Sequence, residues 1–174
     1  HSRSPTGRGT WGSRSSRRTS PGLFHPRDGH LLTKSELEQT ATMEYESRVY
    51  ILDEQTGEFE LQEPLTTQLN DRYSVSIVGR DDASGKYYVL TDQFSDMIQA
   101  RLYDPKAKAY DPEPLLAHPK YNIAGLVFGN QPSNFNQVIG YTVSGLVNET
   151  TYVEGNMRSI HDGLKQAYKG RYVN

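Results

Sequence analysis

The sequence predicts an α+β fold: an antiparallel sheet built of two ββα-like units plus an N-terminal hairpin, with a long disordered basic arm in front of it. Three observations predict it. Runs of alternating apolar and polar residues, bounded by Gly, Asn and Asp, recur from residue 48 onward. Two of these strand–turn–strand runs lead into stretches whose apolar residues fall at helical spacing. The first 30 residues differ in kind from the rest. They carry six arginines against the single Asp28, a net charge of +5, while the remaining 144 residues carry −7.

The boundaries follow from that shift. Residues 1–32 read as a flexible arm, rich in Ser, Gly and Pro and poor in aliphatic residues, which cannot bury enough apolar surface to offset its ordering entropy. Trp11, Leu23 and Phe24 are isolated large side chains within it. Together with Arg3, Arg8, Arg14, Arg17 and Arg18 they are the candidate partner-binding residues, because anchors of this kind fill pockets on another protein. Two other readings of the arm are a solvated tail and the remnant of an import signal, which is also rich in Arg and Ser. The chain opens on His1 rather than Met, which fits either a removed targeting segment or a start inside a longer product.

Residues 33–174 read as one folded domain. Thr33 and Glu36 have capping-box spacing, which predicts a short helix to about Glu46. Residues 48–53 and 58–61 flank a turn at Gly57 and predict a β-hairpin. Residues 72–79 and 86–90 are strands joined by a turn at 81–85, and Thr91 is placed to cap a helix reaching Leu102. The stretch 103–120 holds four prolines and reads as a long loop. Strands follow at 121–129, 138–147 and 151–154, then a helix from Asn156 through Tyr168. Tyr73-Ser74-Val75-Ser76 resembles Tyr141-Thr142-Val143-Ser144, and Tyr88-Val89 resembles Tyr152-Val153. These pairs define the repeat units 72–103 and 138–172.

The chemical inventory is short. The absence of cysteine excludes disulfides, thiolate nucleophiles and Cys-type metal sites. His1, His25 and His30 fall in the arm, His118 in the proline-rich loop, and His161 beside Asp162 on the last helix, where neighbouring side chains do not face each other. No phosphate loop, HExxH or EF-hand pattern occurs. Asp53, Glu54, Glu58 and Glu60 form an acidic cluster on the hairpin that reads as its solvent face. No catalytic, cofactor-binding or metal-binding residue is assigned, no cofactor is expected, and no apolar run is long enough to span a membrane. Asn148-Glu149-Thr150 is a glycosylation sequon, meaningful only in a secreted protein. Twelve tyrosines, among them Tyr45, Tyr50, Tyr87, Tyr103, Tyr110, Tyr121 and Tyr172, offer contact area suited to interfaces as well as to sheet packing.

The run RYSVSIVG, turn, KYYVLTDQFSDMIQARL, and the run GYTVSGLV, turn, TYVEGNMRSIHDGLKQAYKG, resemble the small capping-linker domain of phycobilisome linker proteins. The resemblance implies a colourless scaffolding protein of a light-harvesting antenna, in a plastid, whose arm reaches into a ring of pigment proteins. Taken together, the expected function is a non-catalytic structural or linker subunit that docks into a large assembly through acidic protein partners. Two other classes are carried alongside it. One is a nucleic-acid-associated virion or ribonucleoprotein component using the Arg-rich arm. The other is a small enzyme or ligand-binding protein with its site in the 103–120 loop.

Overall fold

The computed structural model describes residues 17–152. Within them the protein is built almost wholly of antiparallel β-sheet, with one 3-10 turn (Glu63–Leu65) as its helical element. Three sheets follow one another along the chain. The first runs β1 (Arg18–Pro21), β2 (Thr33–Ala41), β3 (Glu44–Asp53) and β4 (Glu58–Leu61) in spatial order, with β5 (Thr67–Gln68) added on β3. The second is β6 (Val75–Arg80), β7 (Tyr87–Thr91), β8 (Gln99–Asp104) and β9 (Ala109–Tyr110). The third is β10 (Asn122–Phe128), β11 (Val138–Ser144) and β12 (Glu149–Tyr152). Each is a meander of consecutive antiparallel strands, β5 of the first sheet returning to β3 instead of pairing with β4.

The second meander lies between the other two because both its faces are apolar. On β7, Tyr87 and Val89 join Leu32, Ile51, Leu65 and Tyr103 in one core, shared with the first meander. Tyr88 and Leu90 join Ala100, Leu116, Ile123, Val138 and Tyr141 in the other, shared with the third. Side chains of a strand alternate between faces, so one five-residue strand serves two cores. Each fully buried large side chain contributes roughly 1.5–3 kcal/mol. Close packing sets residue type as well: Phe128 lies so near Gly79 that a Cβ there would stand 2.4 Å from the ring.

The core is not purely hydrocarbon. The Tyr103 hydroxyl donates to Gln62 Oε1 at 2.7 Å across the first interface, with both residues buried. The neighbouring Tyr110 ring packs edge-on against Tyr103 at 5.2 Å, but its buried hydroxyl has no hydrogen-bond partner among the described residues.

Turns of one hydrogen-bonding pattern recur in all three meanders, the one in the third being a longer loop, and the β3–β4 hairpin shows the pattern too, with Gly57 N–H donating to Asp53 C=O at 2.7 Å. His25 N–H donates to His30 C=O at 2.8 Å and Gly29 N–H to His25 C=O at 2.9 Å. Asp81, Lys86 and Gly85 make the same pair of bonds at 2.8 and 2.8 Å, and Gly129, Gln137 and Asn136 make it at 2.8 and 2.9 Å. The residue before the last is left-handed in all three: Gly29 at φ +74°, Gly85 at +73° and Asn136 at +59°, where Gly and Asn meet little steric cost. The repeat therefore matches β6 with β10 and β7 with β11. The sequence pairing of Tyr73–Ser76 with Tyr141–Ser144 instead joins strands of different rank in their sheets.

Several expectations are corrected. The fold is mostly β rather than α+β. Residues 33–46 form β2 and the start of β3, because pairing with β1 on one side and β3 on the other outweighs local helix propensity. The helix expected over 91–102 is replaced by a turn and β8, so the first ββα unit is not formed. The second unit's helix, with His161 and Tyr172, lies outside the described residues. The 103–120 loop contains β9, and Leu116 within it is buried against Ala100. Tyr87 and Tyr103 are core residues rather than surface anchors. The arm boundary at residue 32 also moves: Arg18–Pro21 pairs with β2, and Leu23 packs against the first core.

The two tyrosine hydroxyls predict opposite outcomes. Tyr103→Phe orphans buried Gln62 and should lower stability by about 1–3 kcal/mol. Tyr110→Phe removes an unpartnered buried hydroxyl and should leave stability unchanged or raise it, by up to about 1 kcal/mol. Urea titration of both variants checks the contrast.

Burial pushes the Tyr87 phenol up to about 12, and burial raises Tyr88, Tyr103 and Tyr110 further. Unfolded tyrosine titrates near 10. The unfolded state therefore loses protons first, so the stability these groups contribute is complete below about pH 10 and falls as pH rises from there. In an alkaline titration the tyrosinate absorbance of these four should appear cooperatively, after the exposed tyrosines have ionised and together with loss of the β-sheet circular dichroism signal. Four phenols ionising smoothly in an intact fold would contradict the burial.

Candidate functional site

Three of these turns meet at one end of the stack, where a cluster of polar and ionisable side chains joins them. The first turn (His25–His30) supplies His25, Arg27, Asp28 and His30. The second (Asp81–Lys86) supplies Asp82, with Arg80 just before it on β6. The third (Gly129–Gln137) supplies Phe135 and Asn136. Glu54 comes from the turn between β3 and β4.

Within the first turn, Asp28 Oδ1 accepts the His30 backbone N–H at 3.1 Å and sits 2.5 Å from His30 Nδ1 and 3.6 Å from His25 Nδ1. His25 Nδ1 accepts the Arg27 backbone N–H at 3.2 Å. The imidazoles stack nearly parallel, 9° apart, with centroids 5.1 Å apart. Each ring turns its far nitrogen toward a carboxylate on another turn: His30 Nε2 lies 3.2 Å from Glu54 Oε1, and His25 Nε2 lies 3.5 Å from Asp82 Oδ1. The bond to Asp28 holds the His30 imidazole above its usual value, and the His30 backbone N–H is the main cause holding Asp28 below its own.

Arg80 organises those outer carboxylates. Its guanidinium reaches Glu54 Oε2 at 2.9 Å and Oε1 at 3.4 Å, and Asp82 Oδ1 at 3.5 Å. Asn136 Nδ2 donates to Asp82 Oδ2 at 3.0 Å and to the Arg80 carbonyl at 3.2 Å, which ties in the third turn. Arg27 lies over the Phe135 ring, 4.8 Å from its centroid. A cleft of about 250 Å³ opens beside this cluster, lined by Glu54, Arg80, Asp104 and Lys106 among others.

The sequence-derived candidates fare unevenly. Arg3, Arg8, Trp11 and Arg14 lie outside the described residues. Arg17 pairs with Glu38 at 3.2 Å and Glu36 at 3.9 Å on β2, so its carboxylate partners belong to its own chain. Arg18 is exposed on β1, Leu23 is half-buried, and Phe24 is about half exposed at a bridge to Leu31. His118 Nδ1 accepts the Lys120 and Tyr121 backbone N–H groups at 3.0 and 3.1 Å, organising its own loop. Of the acidic hairpin cluster, Glu54 is engaged by Arg80 and His30, and Asp53 Oδ1 accepts the Gln55 N–H at 2.8 Å. The reading of residues 1–32 as shapeless hid the first turn. The signal available was the spacing His25-x-x-Asp28-x-His30.

Compared with protein-family models, with curated proteins and with solved structures, the chain matches none of them. No helix among the described residues is long and apolar enough to cross a membrane.

Replacing Arg80 by Gln leaves Glu54 and Asp82 without their shared cation at a solvent-accessible junction. The denaturation midpoint should fall by an amount equivalent to about 1 kcal/mol, and the loss should shrink in high salt. A salt-independent loss would place the role of Arg80 in packing instead.

Proposed function

We propose that the protein is a non-catalytic structural subunit that docks into a larger assembly through its N-terminal segment. The observation that carries this reading is the edge of the first sheet. β1 ends the strand order, all four of its residues are exposed, and the basic segment carrying Arg3, Arg8, Trp11 and Arg14 runs directly into it. An edge strand presents unpaired backbone N–H and C=O groups to which another chain can add a strand, and flanking arginines favour an acidic partner. Because Arg17 and β1 are anchored to β2, the docking segment narrows to residues 1–16 with the outer edge of β1.

The antenna setting implied by the phycobilisome resemblance rested on a ββα layout, and the first of those units is a β-meander here. The kind of assembly is therefore left to its composition: pigment marks an antenna, nucleic acid a ribonucleoprotein.

Fractionation of native material by size tests the proposal. The full chain should elute in a large particle. A chain lacking residues 1–16 should elute as a free monomer with an unchanged melting temperature. A full-length chain that runs alone would overturn the reading. So would one whose association persists on bare RNA and weakens steeply with salt, since that behaviour belongs to phosphate binding.

A further inference from the structure

The same bond pattern also closes Asp53–Glu58, Asp81–Lys86 and, across a longer loop, Gly129–Gln137, and only the copy at His25–His30 carries histidines. The backbone bonds form without imidazoles in the other copies. The imidazoles are therefore not required by the turn.

What they do instead is converge. One donor atom from each of His25, Asp28 and His30 lies within 4.8 Å of the others. We propose that these three side chains form a binding site for a divalent transition-metal ion of the zinc type, through His25 Nδ1, Asp28 Oδ1 and His30 Nδ1. Donors around a tetrahedral ion at ordinary bond lengths lie roughly 3.3 Å apart. The separation from His25 Nδ1 to Asp28 Oδ1, 3.6 Å, is close to this, and because the two imidazoles lie in stacked planes 9° apart, one ring must rotate for both lone pairs to meet the ion. The His30–Asp28 separation of 2.5 Å opens by less than an ångström if the exposed Asp28 carboxylate turns. The ion then takes the lone pair that His25 Nδ1 lends to the Arg27 N–H, a donor at an exposed position that water can satisfy.

The surroundings fit as well. A metal-bound imidazole ordinarily donates its other N–H to a carboxylate, which fixes the ring and strengthens the ligand. Here His30 Nε2 faces Glu54 and His25 Nε2 faces Asp82, and Arg80 holds both of these carboxylates in place. Two nitrogens and one oxygen favour zinc, cobalt or nickel over calcium or magnesium, which prefer oxygen donors alone. Since Asp28 and His30 are solvent-accessible, water completes the coordination. The bound ion would fasten the β1–β2 turn to the second meander through Asp82, at the place where the N-terminal segment enters the fold.

The test uses the full-length, metal-free protein titrated with Co²⁺ by visible absorption and with Zn²⁺ by calorimetry. One equivalent should bind per chain, and Zn²⁺ should raise the melting temperature in a way that a chelator reverses. His25→Gln and His30→Gln should each weaken binding by at least ~10-fold, and Glu54→Gln by ~10-fold or more through the outer shell. His1→Gln and His118→Gln should bind as the parent does. If a histidine variant fails to fold, Asp28→Asn, at an exposed turn position, carries the same comparison. The absence of saturable binding, or binding indifferent to His25, Asp28 and His30, would overturn the site.

Discussion

β7 has no solvent face, and the architecture depends on that constraint. Its five residues are all buried, alternately against the first and the third meander. A strand covered on both sides must be apolar at every position, and Tyr-Tyr-Val-Leu-Thr meets this with large side chains carrying only terminal hydroxyls. Thr91 shows how such a group is accommodated: its hydroxyl donates to the Ser74 carbonyl at 2.7 Å. The flanking sheets adhere through this strand and its neighbour β8, so the order of the stack follows from one short segment.

Double burial also explains which parts of the fold could be read in advance. The β3–β4 hairpin, β6, β7, β10 and β11 show either clear alternation or compact apolar runs, and their bounding Gly, Asp and Asn residues mark the turns. β8 was obscured because Ala100 and Tyr103 face opposite cores. Period-two alternation disappears when both faces are buried, and the leftover spacing of Phe94, Met97, Ile98 and Leu102 imitates a helix. β2 was obscured for the opposite reason. Its TKSELEQTA is nearly all polar and rich in helix formers, and only its two pairing partners hold it as a strand. Neither partner is visible from within the segment.

The first turn escaped notice through composition. Averaged over residues 1–32, high charge, Gly and Pro outweigh the few apolar residues. Leu23, Leu32 and Thr33 nevertheless stitch the second half of that stretch to the sheet: Leu23 N–H donates to Thr33 Oγ1 at 2.8 Å, and Leu32 N–H to the Leu23 carbonyl at 2.8 Å. Disorder is thus a property of a segment's contacts and not of its residue types alone.

A turn whose backbone bond pattern recurs without histidines separates structure from specialisation. Where hydrogen bonds and a left-handed penultimate residue suffice to reverse the chain, the side chains at the turn ends are released from that task. In the second turn, Asp81 accepts from Ser84 Oγ and the Ala83 N–H, while Lys86 reaches Asp111 at 2.8 Å. Those polar ends serve the second meander itself. In the third, Asn134 Oδ1 accepts the Gln131 N–H at 3.1 Å within the loop. In the first, the ends are two imidazoles facing one carboxylate inward and two carboxylates outward. Beyond His25 Nδ1 and Asp28 Oδ1 accepting the Arg27 and His30 N–H groups, that arrangement exceeds what the turn's backbone bonds require, and it brings together ionisable groups able to share a cation.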